Sequence, residues 1–185
     1  WSQVDCIGAT LKNVTFKDLR EDCIFAGAEL AKVTIFGELN RVNFEKCDLR
    51  MVRFVNKKFR MTNFSQCDMS GMDFSNSYFT NCTLKGANLA GASLVKGHIQ
   101  YTDISGANIK DADIAGLDLF SLKGFTIKQA LTAKNIHLAN GRSAALDKAL
   151  AKRKKDQIGG LQLAQGSEGD LAIAEEGGDL TLTKK

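Results

Sequence analysis

Cysteine and histidine offer the widest range of chemistry, and this chain has few of either. Its cysteines are isolated, with no pair in a CxxC spacing: Cys6, Cys23, Cys47, Cys67 and Cys82. An odd count without that motif argues against a zinc site and against a secreted disulfide framework. The histidines are His98 and His137. We therefore predict no metal site, no cofactor and no catalytic Cys–His pair.

Two pairs of carboxylates are spaced closely enough to suggest general acid–base chemistry. They are Asp111/Asp113 and Asp113/Asp118. Asp113 and Asp118 also occupy an Asn/Asp slot that recurs along the chain, and such a slot favours a role in turns. The chain has no glycine-rich phosphate loop. These observations predict a protein that is not an enzyme.

Basic residues are concentrated between positions 41 and 60. The window holds seven Lys/Arg against Glu45 and Asp48, a local excess of five positive charges, whereas the whole chain carries +4. A partner with an acidic surface would recognise such a window, and an ordinary solvated surface would also produce it. We predict a basic belt that is a candidate partner-binding site and consists of Arg41, Lys46, Arg50, Arg53, Lys57, Lys58 and Arg60.

The elements that position these residues repeat with a period of five. Every fifth residue from Leu39 to Leu119 is large and apolar, for 17 consecutive positions. Neither a helix nor a flat strand has this period. The residue two positions earlier is mostly small, and the residue immediately before is often Asn or Asp, as in Ala87-Asn88-Leu89 and Ala107-Asn108-Ile109. Four of the five cysteines occupy the small position, which predicts that they are buried.

Units of this form resemble the pentapeptide-repeat family, whose consensus is A(D/N)LXX, over about residues 9–122. The resemblance implies an all-β solenoid, a right-handed quadrilateral parallel β-helix in which four units make one coil. Stacked coils would pair their backbones about 4.8 Å apart. The chain contains no proline, as suits a structure that can give up few backbone N–H groups. The register slips at 17–22 and 37–40, where we expect a coil to lose one residue or bulge.

The repeat ends after Leu119, and three domains are predicted: the β-helix at 1–122, a short α-helical C-terminal cap at 123–157 and a Gly/acid-rich tail or small β-meander at 158–185. In the cap we expect a short helix between 125 and 133. Ser143 should N-cap a second helix whose last turn is 152–155. The tail has three alternating segments, 160–164, 169–174 and 178–183, that read as strands or as a loose linker. Its apolar residues form a candidate interaction segment: Leu161, Leu163, Leu171, Ile173, Leu180 and Leu182.

These features favour a non-catalytic protein–protein interaction scaffold, either a bacterial cytoplasmic protein or a secreted effector. The resemblance also implies an alternative, a DNA mimic that protects a topoisomerase, like the family's quinolone-resistance members. Such mimics carry a negative surface, whereas residues 9–122 hold 14 Lys/Arg and 13 Asp/Glu. The expected partner is another protein, with a homodimer through the C-terminal end left open and nucleic acid disfavoured. No run of residues is long and apolar enough to cross a membrane.

Overall fold

The structure, a computed structural model, describes the backbone of residues 2–17, 19, 21–164, 171–176 and 179–184. Side chains are described for 2–17, 19 and 21–157. The chain forms the right-handed quadrilateral β-helix that the sequence predicts, with about six turns and few helices. The strands of the β-helix are β1 Thr10–Lys12, β2 Thr15–Lys17, β3 Glu29–Ala31, β4 Val33–Phe36, β5 Leu39–Asn40, β6 Val52–Phe54, β7 Lys58–Arg60, β8 Tyr78–Thr80, β9 His98–Gln100, β10 Thr102–Asp103 and β11 Leu122–Lys123.

Four flat faces run along the rod, and each is a column of parallel pairings between successive coils. Face 1 is the ladder β5-β7-β8-β9, and its central inward residues are Leu39, Phe59, Phe79, Ile99 and Leu119. Face 2 follows the bridges Asn43↔Asn63↔Thr83↔Asp103. Face 3 follows Asp48↔Asp68↔Asn88↔Asn108, and face 4 follows Asp73↔Ser93↔Asp113. Outside the short strands the ladders continue as isolated bridges, formed by about one residue of each unit.

The spacing of the pairings confirms the two register slips. Between Asn43 and Lys123 the partners are 20 residues apart, as in Asn43↔Asn63. The first coils instead pair at 19, as in Thr15↔Thr34 across the first slip and Val33↔Val52 across the second. One residue is therefore lost at each predicted place, and the faces stay aligned.

The corners are tight turns with one residue in the left-handed region. In the turn after Phe44, the N–H of Cys47 donates to the carbonyl of Phe44 at 3.0 Å, and Lys46 has a φ of 62°. Glycine occupies this position in several units, such as Gly91 with a φ of 67°, because it has no Cβ to clash. The Asn/Asp slot stabilises the same corners. For example, the N–H of Glu45 donates to Oδ1 of Asn43 at 2.9 Å.

The core is a column of inward side chains, and all 17 of the large apolar positions are buried. Its N-terminal two thirds is aromatic. The ring centroids of Phe44 and Phe64 stack 5.7 Å apart on neighbouring rungs of face 2, and Phe59 meets Phe64 edge-on at 5.3 Å. Such packing adds to the apolar burial that holds successive coils together.

The repeat pattern ends near Leu119, but the ladders do not. Asp113 pairs with Lys134 and Asp118 with Asn140, spacings of 21 and 22 residues. The prediction that 123–157 only caps the rod was therefore too simple, because 122–140 form one more, irregular coil. Its extra residues are taken up by helix α1, Ile127–Ala130, and by 3-10 turns at Leu119–Ser121 and Ile136–Leu138.

Side chains of this last coil close the end of the core. Ala130 and Ile136 are buried against it. The Nε2 of Gln129 donates to the carbonyls of Ile104 at 3.2 Å and Ala107 at 2.9 Å. The bond to Ala107 satisfies a backbone acceptor that the end of a solenoid would otherwise leave open. The carbonyl of Ile104 also accepts the N–H of Ala107 at 3.1 Å.

Helix α2, Ala144–Ala164, begins as predicted and ends later than predicted. The hydroxyl of Ser143 accepts the N–H of Leu146 at 3.2 Å, which makes it the expected N-cap. The helix continues through Gly159-Gly160, although each glycine costs about 1 kcal/mol there, so the expected end at 152–155 was wrong. It passes through the boundary placed at 157/158.

The tail forms two of its three expected strands, β12 Leu171–Glu176 and β13 Asp179–Lys184, which pair antiparallel. The expected strand at 160–164 was wrong, because those residues belong to α2. Among the described residues no helix is both long and apolar enough to cross a bilayer.

Candidate binding face

The predicted basic belt lies on one coil and surrounds it. Lys58 and Arg60 project from face 1 on β7, and Arg53 projects from face 4 on β6. Arg50 flanks the centre of face 3, and the remaining members are at or beside corners. Because the seven side chains are distributed over different sides of the rod, they do not form one contiguous patch.

Most of the belt is paired with carboxylates of the same coil or of neighbouring coils. Arg41 contacts Asp22 at 2.9 Å and Arg50 contacts Asp48 at 2.6 Å. The other ion pairs are Lys57–Asp73 at 2.8 Å, Lys58–Glu38 at 2.8 Å and Lys46–Glu45 at 3.7 Å. The hydrogen bond from Lys57 lowers the pKa of Asp73 to about 2, and that from Lys58 lowers the pKa of Glu38. Within the described residues only Arg53 and Arg60 of the belt have no ion pair.

The cysteines have the buried positions that the repeat predicts. Cys23, Cys47, Cys67 and Cys82 are all buried. Cys67 donates its S–H to the carbonyl of Phe44 at 2.9 Å. Burial raises the pKa of Cys67 to about 12 and that of Cys82 to about 11. Such thiols stay protonated near neutral pH and are poor nucleophiles.

The paired aspartates act in the turns. Asp113 accepts the N–H of Ala115 at 3.1 Å and an amide hydrogen of Asn135 at 3.0 Å. Asp118 accepts the N–H of Phe120 at 3.1 Å. In the part of the chain that the structure describes, no three His, Cys, Asp or Glu side chains are grouped to hold a metal.

Face 1 is the surface that distinguishes this rod, and sequence reasoning missed it. Three exposed aromatic side chains lie on it or on its corner: Tyr78 is 45% exposed, Tyr101 77% and Phe120 89%. Met61, which precedes Tyr101 by two coils on that corner, is 45% exposed. Large exposed apolar groups are costly to solvate, so their grouping on one face makes face 1 a candidate interaction surface.

Two rings on face 1 are stacked. Tyr78 and His98 occupy equivalent positions on β8 and β9, and their ring centroids are 4.6 Å apart with 10° between the planes. Beyond His98 a groove of about 730 Å³ runs to the end of the face. Its walls include Lys96, Tyr101, Asp118, Phe120 and Asn140.

The groove forms because the regular ladder stops there. At the rung of Leu119 the strand is replaced by a 3-10 turn, with Asp118 as its N-cap. The turn directs Phe120 outward. The partner of Asp118 in the next coil is Asn140, 22 residues on, and it forms the far wall. Aromatic, amide and charged groups are thus brought together at one end of face 1.

Two cations border this face outside any ion pair of the described residues, although the charge of Glu38 acts on Arg60 through space. No ion pair involves Arg60 or Lys96 in the described part of the chain, whereas the neighbouring Lys58 is paired with Glu38. The stem of Lys96 packs beside Gly116, where an added Cβ would lie 3.3 Å from its Cγ. A signal for this face was present in the sequence: Lys58, Tyr78 and His98 are spaced by 20 residues, one coil each.

The predicted C-terminal interaction segment lies mostly in regular backbone. Leu161 and Leu163 belong to α2, whereas the other four belong to the hairpin: Leu171 and Ile173 to β12, Leu180 and Leu182 to β13. All six side chains lie outside the described residues, so their part in binding stays a prediction.

Comparison with known proteins agrees with the fold. The family profile described as "Pentapeptide repeat region" matches residues 9–94. Similar structures include the pentapeptide repeat protein Rfr23 of the cyanobacterium Cyanothece 51142, at 19% identity and a TM-score of 0.38, over 65% of this chain and 84% of that one.

Two further similar structures are those of a fluoroquinolone resistance protein and of a plant protein. The plasmid-mediated fluoroquinolone resistance protein QnrB1 is 15% identical with a TM-score of 0.31, over 89% of this chain and 72% of that one. A pentapeptide repeat protein of the Arabidopsis thaliana thylakoid lumen is 22% identical with a TM-score of 0.23, over 70% of each chain. No curated protein sequence matches the chain significantly. Residues 9–94 of this chain are thus a pentapeptide repeat region, as the five-residue spacing of the sequence predicts.

Proposed function

We propose that this protein is a non-catalytic scaffold that binds a partner protein on face 1. The observation that carries the proposal is the concentration of exposed Tyr78, Tyr101 and Phe120 on that face. A rigid, flat sheet suits such a role because its side chains are held in place by the ladder beneath them. The scaffold therefore loses little conformational entropy when it binds its partner.

The composition of face 1 is that of a binding hot spot. Tyr and Arg are enriched among residues that dominate binding free energies, and Met and Phe are enriched in the cores of interfaces. Face 1 and its corner carry Arg60, Met61, Tyr78, Tyr101 and Phe120. The basic belt contributes here through Lys58 and Arg60, and Arg41 lies on the same corner one coil before Met61. The other members lie on other parts of the coil.

The chemistry of the partner follows from the charges at the groove. Arg60 and Lys96 have no ion pair among the described residues, and Asp118 is the carboxylate in the wall of the groove. A partner with apolar or aromatic side chains and an acidic rim would complement this surface. Free buried thiols suit a reducing compartment, and we propose the cytoplasm, of a bacterium or of a host cell.

The DNA-mimic alternative has less support. A mimic needs carboxylates that present their charge to a DNA-binding protein. In this rod Asp22, Asp48 and Asp73 are paired with Arg or Lys, and other acids accept backbone N–H groups in turns. We expect no inhibition of gyrase supercoiling at micromolar protein.

A photo-crosslinking amino acid at position 101 of the full-length protein tests the proposal. Cross-linked products should form with one or a few defined partners, and they should disappear when Phe120→Ala is added. The matched control places the same amino acid at position 110, an exposed site on face 3. Equal cross-linking from positions 101 and 110 would mean that face 1 is not the docking surface.

A further inference from the structure

The groove at the end of face 1 begins at one side of the imidazole ring of His98. His98 lines it, and Tyr78 stacks against the opposite side of His98 at 4.6 Å. The two rings sit on adjacent rungs, which are about 4.8 Å apart in any such ladder. Their stack therefore follows the axis of the rod. One face of the imidazole is covered by Tyr78, and the other is directed into the groove.

The next rung does not continue the stack. Its equivalent residue is Asp118, whose Oδ1 is occupied by the N–H of Phe120 at 3.1 Å. The position of a third ring thus opens into a groove of about 730 Å³, which is within the usual size of small-molecule sites. A flat ring that enters there would extend the Tyr78–His98 stack by one member.

The groups around that position fit a heteroaromatic ring. Asp118 offers a second carboxylate oxygen, and Gln100 offers an amide that can donate and accept. Asn140 donates from Nδ2 to the carbonyl of Gly116 at 3.4 Å, and its Oδ1 can accept. Tyr101 and Phe120 supply apolar walls beside the corner. A ring with amino and carbonyl groups on its edge can form hydrogen bonds with these exposed groups, whereas a plain hydrocarbon ring would displace water from them without replacing its hydrogen bonds.

A single cation at the groove indicates that the ligand carries an anionic group beside its ring. Lys96 stands at the opposite corner of the groove, its stem held beside Gly116, and it has no ion pair within the described residues. A lysine at such a site attracts an anionic group as a point charge, and phosphate is its common partner.

We propose that this groove binds a purine nucleoside 5′-monophosphate. The base stacks on His98 and its edge meets Asp118 and the amides, while the phosphate is bound by Lys96. Purines bind more tightly than pyrimidines because they cover more of the imidazole. This site does not depend on the docking of a partner protein, and it can be tested on the isolated chain.

Titration of the full-length protein with GMP, AMP, CMP and UMP, followed by NMR of the His98 ring protons, tests the proposal. GMP or AMP should shift these protons upfield by stacking and should saturate below about 1 mM. The shift should be weaker with the pyrimidine nucleotides. No saturable shift with any nucleotide at 1 mM would overturn the site and would leave the proposed protein docking untouched.

Three variants locate the contacts. His98→Ala should weaken GMP binding about tenfold or more, since stacking on an aromatic ring carries much of the affinity for a base, and His98→Phe should keep it within about threefold. Lys96→Met should weaken GMP but not guanosine, whereas the control Lys110→Met on face 3 should change neither. If inorganic phosphate competes as well as GMP, or His98→Ala binds normally, the groove is not a base-stacking site.

Discussion

Replacing one phenylalanine inside the rod and one outside it tests the assigned inward and outward positions. Phe64 is fully buried, and its ring lies 5.3 Å from Phe59, 5.7 Å from Phe44 and 5.9 Å from Phe79. A buried phenylalanine removes about 150 Å² from water. At about 25 cal/mol per Å² this is worth about 4 kcal/mol, within the usual range of about 3–5 kcal/mol for Phe→Ala in a core.

The matched substitution is Phe120→Ala. This side chain is 89% exposed, so only about a tenth of its area is removed from water and the same coefficient gives about 0.4 kcal/mol. Urea unfolding followed by circular dichroism measures both. With a slope of about 2.5 kcal/mol per M, Phe64→Ala should lower the midpoint by about 1.6 M and Phe120→Ala by less than 0.2 M. Similar shifts for the two variants would refute the assigned register.

Three further expectations follow from the same geometry. Gly124→Ala should destabilise by about 3 kcal/mol and Gly91→Ala by about 1 kcal/mol in thermal melts. Both glycines have a positive φ, but only at Gly124 would an added Cβ collide with a neighbour, the side chain of Ser105, whose Cβ would lie 2.9 Å away. Because the pKa of Asp73 is lowered to about 2 in the folded protein, its pairing stabilises the fold above its unfolded pKa of about 3.9 and this stabilisation is lost as pH falls toward 2. Asp73→Asn should therefore be less stable than wild type at pH 6 and lose less stability between pH 4 and 2; parallel pH curves would contradict this. A thiol reagent should modify at most the half-buried Cys6 in the native protein and all five cysteines in urea, whereas rapid native labelling of two or more would contradict the buried column.

The fold was predictable because the large apolar residues that stabilise it recur at a fixed spacing. Each coil buries one large residue per face, so the five-residue period from Leu39 to Leu119 specifies the solenoid directly. Even the lost residues at the two slips were visible as a phase shift of the apolar positions. The last coil was not predictable, because 122–140 keep the ladders through backbone pairing while their side chains no longer follow the period.

The candidate site was harder to predict because it depends on residues a full coil apart. Counting charges between 41 and 60 gave a strongly basic belt, but Asp22, Glu38 and Asp73 lie on neighbouring rungs and pair with it. In the same way, the stack of Tyr78 on His98 joins residues 20 positions apart. Only when the chain is aligned in columns of 20 do the exposed residues of face 1 come together.

The affinity of a purified partner for the wild-type protein and for the double variant Tyr101→Ala/Phe120→Ala is the most direct test of the proposed scaffold. Both side chains are largely exposed, so the variant should fold normally. Loss of two hot-spot aromatic residues should weaken binding about a hundredfold or more. The matched control, Lys110→Ala on face 3, should bind like wild type. If the double variant also binds with wild-type affinity, face 1 is not the docking surface.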